Sequence, residues 1–130
     1  MKFAVSTKRA PSPRGFYSQA VRAGSFLFVS GQLPLDEDGQ LVGKLAAEQT
    51  TKALENVRAI LEAGDATLAD LVQVVIYVSD VSYWPEINDV YETLLSGASP
   101  PPARAVVPVK DLHYGAKVEI QAVAYINDAK

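Results

Sequence analysis

Two stretches of the chain repeat apolar residues at three- and four-residue spacing, which is the pattern of a helix with one buried face. The first predicts a helix over residues 45–63 that ends at Gly64, since glycine is common just after a helix. The second predicts a helix that begins near Ser82 as its N-cap and tolerates Pro85 in its first turn. The two predicted buried stripes are Ala53, Leu54, Val57, Ile60 and Leu61, and Ile87, Val90, Tyr91, Leu94 and Leu95.

The other apolar runs are short, rich in β-branched residues and bounded by turn residues, as strands are. Three precede the first helix, one lies between the helices and two follow the second, so the predicted order is β-β-β-α-β-α-β-β. The strand between the helices is expected to be central, because it is apolar almost throughout. The runs are FAVS, the two strands of YSQAVRAGSFLFVSG around its RAGS turn, LVQVVIYVSD, ARAVVPV and KVEIQAVAYI.

This arrangement predicts an α+β fold in which a mixed sheet of five or six strands carries both helices on one face. Two helices are too few to cover both faces of such a sheet. The uncovered face would then expose apolar surface, which usually marks contact with a partner. The simplest partner is another copy of the chain, so we expect a homo-oligomer that packs through its sheet faces.

Length and composition place the chain among soluble globular proteins and exclude several kinds of site. The 130 residues fit one domain, residues 1–130, with 48% apolar and 21% charged residues. The absence of cysteine and the single histidine exclude a disulfide framework, a cysteine nucleophile and the usual metal sites. A net charge of −3 argues against nucleic-acid binding, and no apolar run is long enough to span a membrane, so a cytoplasmic protein is expected.

The strand ARAVVPV carries a single charge, Arg104, near its beginning. A guanidinium is always protonated and is costly to bury unpaired, so Arg104 needs a carboxylate from the protein or from a ligand. Its planar fork suits a small carboxylate. Glu119, an acid inside the apolar strand KVEIQAVAYI, is the natural candidate. It would be either a structural partner of Arg104 or a group that positions water.

Other polar residues are less informative by themselves. Ser30 and Gly31 end the third strand, where they would suit close approach of a ligand but equally an ordinary strand exit. Tyr17 fits a core or interface aromatic, and Asn88 fits a polar helix face. His113, the only histidine, is expected in a surface loop.

Six blocks of the sequence occur in a fixed order and spacing: AP…GFYSQA, LFVSGQLP, ALENVRAILEAGDATLADLVQVVIYVSD, INDVYETLL, PPARAVVPV and KVEIQAVA. Together they resemble the RidA/YjgF family of reactive-intermediate (imine) deaminases, also called the L-PSP endoribonuclease family. The resemblance covers nearly the whole chain and implies a fold similar to chorismate mutase. It implies a homotrimer with sheets facing a central barrel and three clefts between subunits. It also implies hydrolysis of 2-imino or enamine acids to 2-keto acids and ammonia without a metal or organic cofactor.

The same resemblance implies a role for each matching residue. Arg104 corresponds to the arginine that holds the substrate carboxylate, and Glu119 to the glutamate that orients or activates the attacking water. The expected substrates are 2-aminoacrylate, 2-iminopropanoate and 2-iminobutanoate. The positions that line the pocket correspond to Tyr17, Ser30, Gly31, Asn88 and, through its backbone amide, Val106.

Two positions depart from the family pattern. Val106 stands where many relatives carry a cysteine, a change that its backbone role would survive. Phe16 stands where proline is common and is expected to reshape the edge of the pocket. Three other functions remain open. They are a deaminase dedicated to an aminoacrylate or aminomuconate-type intermediate, a trimer that binds keto acids without turnover, and a ribonuclease, which the acidic net charge opposes.

Overall fold

The apolar runs become the strands of one sheet in a computed structural model, which describes residues 1–127. The last three residues of the predicted 1–130 domain lie outside this range. The order β-β-β-α-β-α-β-β is the predicted one, with short 3₁₀ turns in three of the connections. The strands are β1 (Lys2–Val5), β2 (Ala20–Ala23), β3 (Phe26–Gln32), β4 (Leu71–Val78), β5 (Ala103–Pro108) and β6 (Val118–Tyr125), and the helices are α1 (Ala46–Ala63) and α2 (Trp84–Leu94).

Within the described range, the sheet is mixed and six-stranded, in the order β1-β2-β3-β6-β4-β5. All neighbouring strands are antiparallel except β4 and β5, which are parallel because α2 carries the chain back between them. β4 lies between β6 and β5, as expected for a central strand, whereas β5 forms an edge. The α+β class is therefore confirmed, and the strand that carries the predicted arginine lies where a second molecule can approach it.

Both helices pack on the same face of the sheet, as predicted. α1 lies against β3 and β6 and also against α2, so the two helices form a single layer. Alternate residues of β6 are buried beneath this layer, because side chains of a strand point to opposite faces in turn. The largest fully buried aliphatic residues of this core are Leu27, Leu54, Ile60, Leu61, Ile76, Ile87 and Ile120.

The predicted helix ends are confirmed for α1 and corrected for α2. α1 begins within one residue of the expected position and ends at Gly64. Ser82 is not the N-cap of α2, since it lies inside a 3₁₀ turn and α2 begins at Trp84. The Asp80 carboxylate caps this turn by accepting a hydrogen bond from Ser82 N at 2.9 Å, which lowers the pKa of Asp80. In the described part of the chain, no helix is long and apolar enough to cross a membrane.

The face of the sheet without helices, here called the open face, is apolar and exposed. Phe26 and Phe28 of β3 and Tyr125 of β6 are 42–48% exposed there. The rings of Phe26 and Tyr125 meet edge to face, with centroids 5.4 Å apart. A contiguous aromatic surface of this kind is typical of contact with another protein surface.

Candidate active site

The structure places the two predicted charged residues on opposite faces of the sheet. Arg104 pairs with Val74, a fully buried residue beneath the helices, so Arg104 belongs to the helix-bearing side at the sheet edge. Glu119 pairs with Tyr77, three positions further along β4, so its side chain lies on the open face. Within one chain, Glu119 is therefore not the partner of Arg104, and the predicted structural pairing of the two does not form there.

Glu119 lies where β3 departs from regular pairing with β6. The register of the two strands shifts between Val29 and Gln32, which places Ser30 and Gly31 in an irregular segment of the kind that re-aims side chains. A Cβ atom built on Gly31 would lie 2.7 Å from Glu119 Oε2 and 3.1 Å from Cδ. Glycine at this position therefore leaves the room that the carboxylate occupies.

Ser30 and Tyr17, two further predicted residues, surround the same carboxylate. Ser30 Oγ donates a hydrogen bond to Ser18 O at 2.6 Å, which ties β3 to the segment before β2. The Tyr17 hydroxyl accepts a hydrogen bond from Arg14 N at 3.3 Å. Together with Glu119 these residues line a cavity of about 570 Å³, here called the glutamate cavity.

The environment of Glu119 increases the affinity of its carboxylate for a proton. Its side chain is half-buried, and this burial raises the pKa of Glu119 above its ordinary value, while the nearby His113 acts in the opposite direction. No side chain of residues 1–127 donates a hydrogen bond to it. A half-buried carboxylate without a protein partner, in a cavity open to solvent, is suited to accept a proton from water.

Arg104 is held by α2 rather than by an acid. Its guanidinium carbon lies 4.8 Å from the centre of the Trp84 ring and 5.0 Å from that of Tyr91. Arg104 Nη1 donates to Asn88 Oδ1 at 2.9 Å, and Asn88 Nδ2 donates to Glu92 Oε1 at 3.0 Å. The cation is thus oriented by two rings and an amide, and its remaining N–H groups stay available for a ligand carboxylate.

The predicted pocket residues divide accordingly. Asn88 lies with Arg104 and not with Tyr17, so it is not part of the glutamate cavity. Val106 follows Arg104 by two residues on the same face of β5, and its half-buried side chain packs against the core. A second cavity of about 530 Å³ lies beside Arg104 and is lined in part by Tyr91 and Pro102. We call it the arginine cavity.

Sequence reasoning missed several residues of these two cavities. His113 is exposed in a 3₁₀ turn, as a surface position requires, but it also lines the glutamate cavity. Gln19 is buried, and its Nε2 donates to backbone oxygens of the segment before β2, including Pro11 O at 2.9 Å. An amide directly before an apolar strand was a signal that could have identified Gln19. Nothing in the sequence pattern distinguished Trp84 as a neighbour of Arg104.

The close approach of Gly31 to Glu119 gives a direct test of the carboxylate position. If Glu119 performs the role that the family resemblance implies, Gly31→Ala should displace the carboxylate and lower kcat/KM for the implied imino-acid hydrolysis about ten- to a hundredfold, because small misplacements of a reacting group are costly. Steady-state kinetics of the folded variant would measure this. Gly97→Ala is the matched control, since a Cβ at Gly97 meets nothing within 4 Å. Equal activity in both variants would contradict the assigned position of Glu119.

Comparison with known proteins gives a consistent set of relatives. The family model described as Endoribonuclease L-PSP matches residues 7–126. A RutC family protein of Pyrococcus horikoshii is 40% identical over 126 residues, which are 96% of this chain and 98% of that protein. The 2-iminobutanoate/2-iminopropanoate deaminase of Rattus norvegicus is 36% identical, over 92% of this chain and 87% of its own. The structure of a Rid family protein of unknown function from Yersinia pestis superposes with a TM-score of 0.93 at 35% identity, over 97% of this chain and all of that one.

Proposed function

Because the chain belongs to the Endoribonuclease L-PSP family, also called the RidA/YjgF family, we propose that it hydrolyses small 2-imino acids to 2-keto acids and ammonia. The proposed substrates are 2-aminoacrylate, through its imine tautomer, 2-iminopropanoate and 2-iminobutanoate. The observation that carries the proposal is the unpartnered, half-buried carboxylate of Glu119, packed against Gly31 in a cavity that a small molecule can enter. The activity in the name of the rat relative supports the same reaction.

The proposed reaction needs only positioning and proton transfer. Arg104 binds the substrate carboxylate with two parallel hydrogen bonds and so holds the imine carbon in place. Glu119 accepts a proton from water while the oxygen of that water adds to the imine carbon. That proton passes to the imine nitrogen and gives a carbinolamine. The proton of its hydroxyl group is then transferred to the amino nitrogen, the C–N bond breaks, and ammonia leaves as the C=O bond of the keto acid forms. Tyr17, Ser30 and the backbone amide of Val106 are proposed to line the bound substrate.

A complete site of this kind requires two copies of the chain. Arg104 and Glu119 lie on opposite faces of one sheet, so one copy would supply the arginine of a site and another copy its glutamate. We propose that a homotrimer closes the site by placing the arginine side of one copy over the glutamate cavity of the next. The exposed aromatic rings of the open face and the fully exposed Phe16, beside the glutamate cavity, are apolar surfaces that such packing would cover.

The proposal is tested by an assay of imine hydrolysis. A lyase that releases 2-aminoacrylate from serine would supply the substrate, and an added amine that traps the imine would compete with its spontaneous decay. We expect the protein to accelerate formation of the keto acid in proportion to its concentration. Folded, oligomeric protein without any acceleration would overturn general deaminase activity and would leave binding without turnover, or a larger substrate, as the function.

A further inference from the structure

We propose that Arg14 binds a second carboxylate in the glutamate cavity, so that the preferred substrates are 2-imino derivatives of acidic amino acids, such as 2-iminosuccinate and 2-iminoglutarate. This inference rests on the proposed deaminase function and specifies its substrate class. In it, Arg104 of a second copy holds the carboxylate next to the imine. The carboxylate at the far end of the substrate reaches Arg14.

Arg14 lies in the same cavity as the catalytic carboxylate. The segment before β2 carries both Arg14 and Tyr17 into the lining of the cavity, opposite residues of β3 and β6. The hydrogen bond from Arg14 N to the Tyr17 hydroxyl fixes the backbone beside the cavity. A guanidinium is therefore present where a ligand that touches Glu119 and Tyr17 would extend.

The turn after β3 fixes the position of the Arg14 guanidinium. Arg14 Nη2 donates to Asp38 O at 3.2 Å, a backbone oxygen in the turn after β3. In that turn, the Asp36 carboxylate accepts hydrogen bonds from Asp38 N and Gln40 N, both at 2.9 Å, so the turn is internally braced. Gly39 in the same turn has a φ of 81°, and a side chain there would collide with the Arg14 guanidinium. The glycine thus leaves the space in which the guanidinium lies.

The charge of Arg14 is not neutralised by an acid of the described chain. Within residues 1–127, the ion pair present joins Arg9 to Glu62 in the last turn of α1. An exposed arginine with one backbone contact keeps most of its five N–H donors for a carboxylate, which its planar fork binds in bidentate fashion.

The glutamate cavity, about 570 Å³ in the single chain, has room for a four- or five-carbon dicarboxylate as well as for a three-carbon imino acid. Only the dicarboxylate would bring a second negative charge to Arg14, the arginine that lines this cavity within residues 1–127.

The test compares two substrates in Arg14→Gln and in the unchanged protein. Amino-acid oxidases would generate 2-iminoglutarate from glutamate and 2-iminopropanoate from alanine, with the same trapping amine in both assays. We expect Arg14→Gln to lower kcat/KM for 2-iminoglutarate about tenfold or more and to leave 2-iminopropanoate within about twofold, since the lost hydrogen bonds are charge-assisted. Arg58→Gln on α1 removes the same charge away from both cavities and should change neither value.

Two outcomes would overturn the role of Arg14. Equal loss on both substrates would show that Arg14 only supports Tyr17 and the cavity wall, and no loss on either would show that it does not meet substrate. If the unchanged protein hydrolyses neither imine, the proposed reaction is refuted. The role of Arg14 in binding a second carboxylate is then tested separately with the stable keto acids. Tighter calorimetric binding of 2-oxoglutarate than of 2-oxobutanoate, abolished by Arg14→Gln, would support the second carboxylate site; equal binding would refute it.

Discussion

Replacement Arg104→Ala should lower kcat/KM for the proposed imino-acid hydrolysis by about 100-fold or more, while the protein remains folded and keeps the oligomeric state of the unchanged protein. The guanidinium is held by the Trp84 and Tyr91 rings and by Asn88, with further N–H groups available to the substrate. Two charge-assisted hydrogen bonds of about 1.5–3 kcal/mol each correspond to about 10²–10⁴ in rate when they are lost. Steady-state kinetics, together with size-exclusion chromatography of the same preparation, would measure the effect.

Arg104→Lys is the informative companion variant. It keeps the positive charge but loses the planar fork, so its activity should stay well below that of the unchanged protein. The stability of Arg104→Ala should change little, because Arg104 is exposed at the sheet edge and pairs with no acid in the described chain. Full activity in Arg104→Ala would remove the carboxylate-binding role and with it the proposed mechanism.

Replacement Glu119→Gln should lower kcat by about 10²–10⁴, the usual contribution of a positioned general base. The amide has nearly the shape of the carboxylate, so the contact with Gly31 is kept and only the proton acceptor is lost. In the unchanged protein, activity should fall as pH decreases through the raised pKa of Glu119, because the protonated acid no longer accepts a proton. A pH profile of kcat/KM that shows no fall on the acidic side in the unchanged protein would argue against Glu119 as the base.

The same variant should be more stable than the unchanged protein at neutral pH. Burial raises the pKa of Glu119 in the folded state, so folding favours the protonated acid. The stability that the Glu119 carboxyl contributes is present at pH values below its ordinary pKa. This stability is lost as the pH rises through the raised pKa of the folded state. The advantage of Glu119→Gln should therefore shrink on acidification. Thermal unfolding at equal protein concentration would measure it, with Glu55→Gln on the exposed side of α1 as the control.

Mixing the two inactive variants tests whether the site spans two copies. If Arg104→Ala and Glu119→Gln chains are refolded together into random trimers, about a quarter of the interfaces should combine an intact arginine with an intact glutamate. Activity should then return to about a quarter of the unchanged level. Mixtures that stay inactive would show that both residues of a site come from the same copy. That result would overturn the proposed site between two copies, which rests on the opposite sheet faces of the two residues.

The periodicity of the sequence was sufficient to predict the helices and strands and their order. α1, α2 and all six strands occur in the predicted order, and Gly64 ends α1, because repeats of 3.6 and 2 residues directly determine which side chains share a face. The start of α2 was mispredicted because Ser82 and Asp80 both carry side chains that accept backbone hydrogen bonds. The backbone uses the aspartate to cap a 3₁₀ turn, after which α2 begins at Trp84, and the pattern does not distinguish the two residues.

The candidate site was only partly accessible from the residues. The resemblance identified Arg104 and Glu119, but their placement on opposite faces depends on the pairing of β4 with both β5 and β6, and strand register is not encoded in either strand alone. His113 and Arg14 were missed for a related reason. Each lies on an irregular connection whose path is set by contacts distant in sequence, such as that between Arg14 and Asp38.

By itself, the sequence determined the fold class, the uncovered apolar face and the two charged residues on which the proposed chemistry depends. The fold class and the uncovered face follow from local periodicity, and the two charges stand out because a charge in an apolar strand is costly. Their proposed roles come from the family resemblance. Only the tertiary structure decided that Arg104 and Glu119 lie on opposite faces of the sheet, that Gly31 makes room for Glu119, and that Arg14 shares the cavity with it. Each of these depends on which strands and turns become neighbours, and that is a property of the packed chain as a whole.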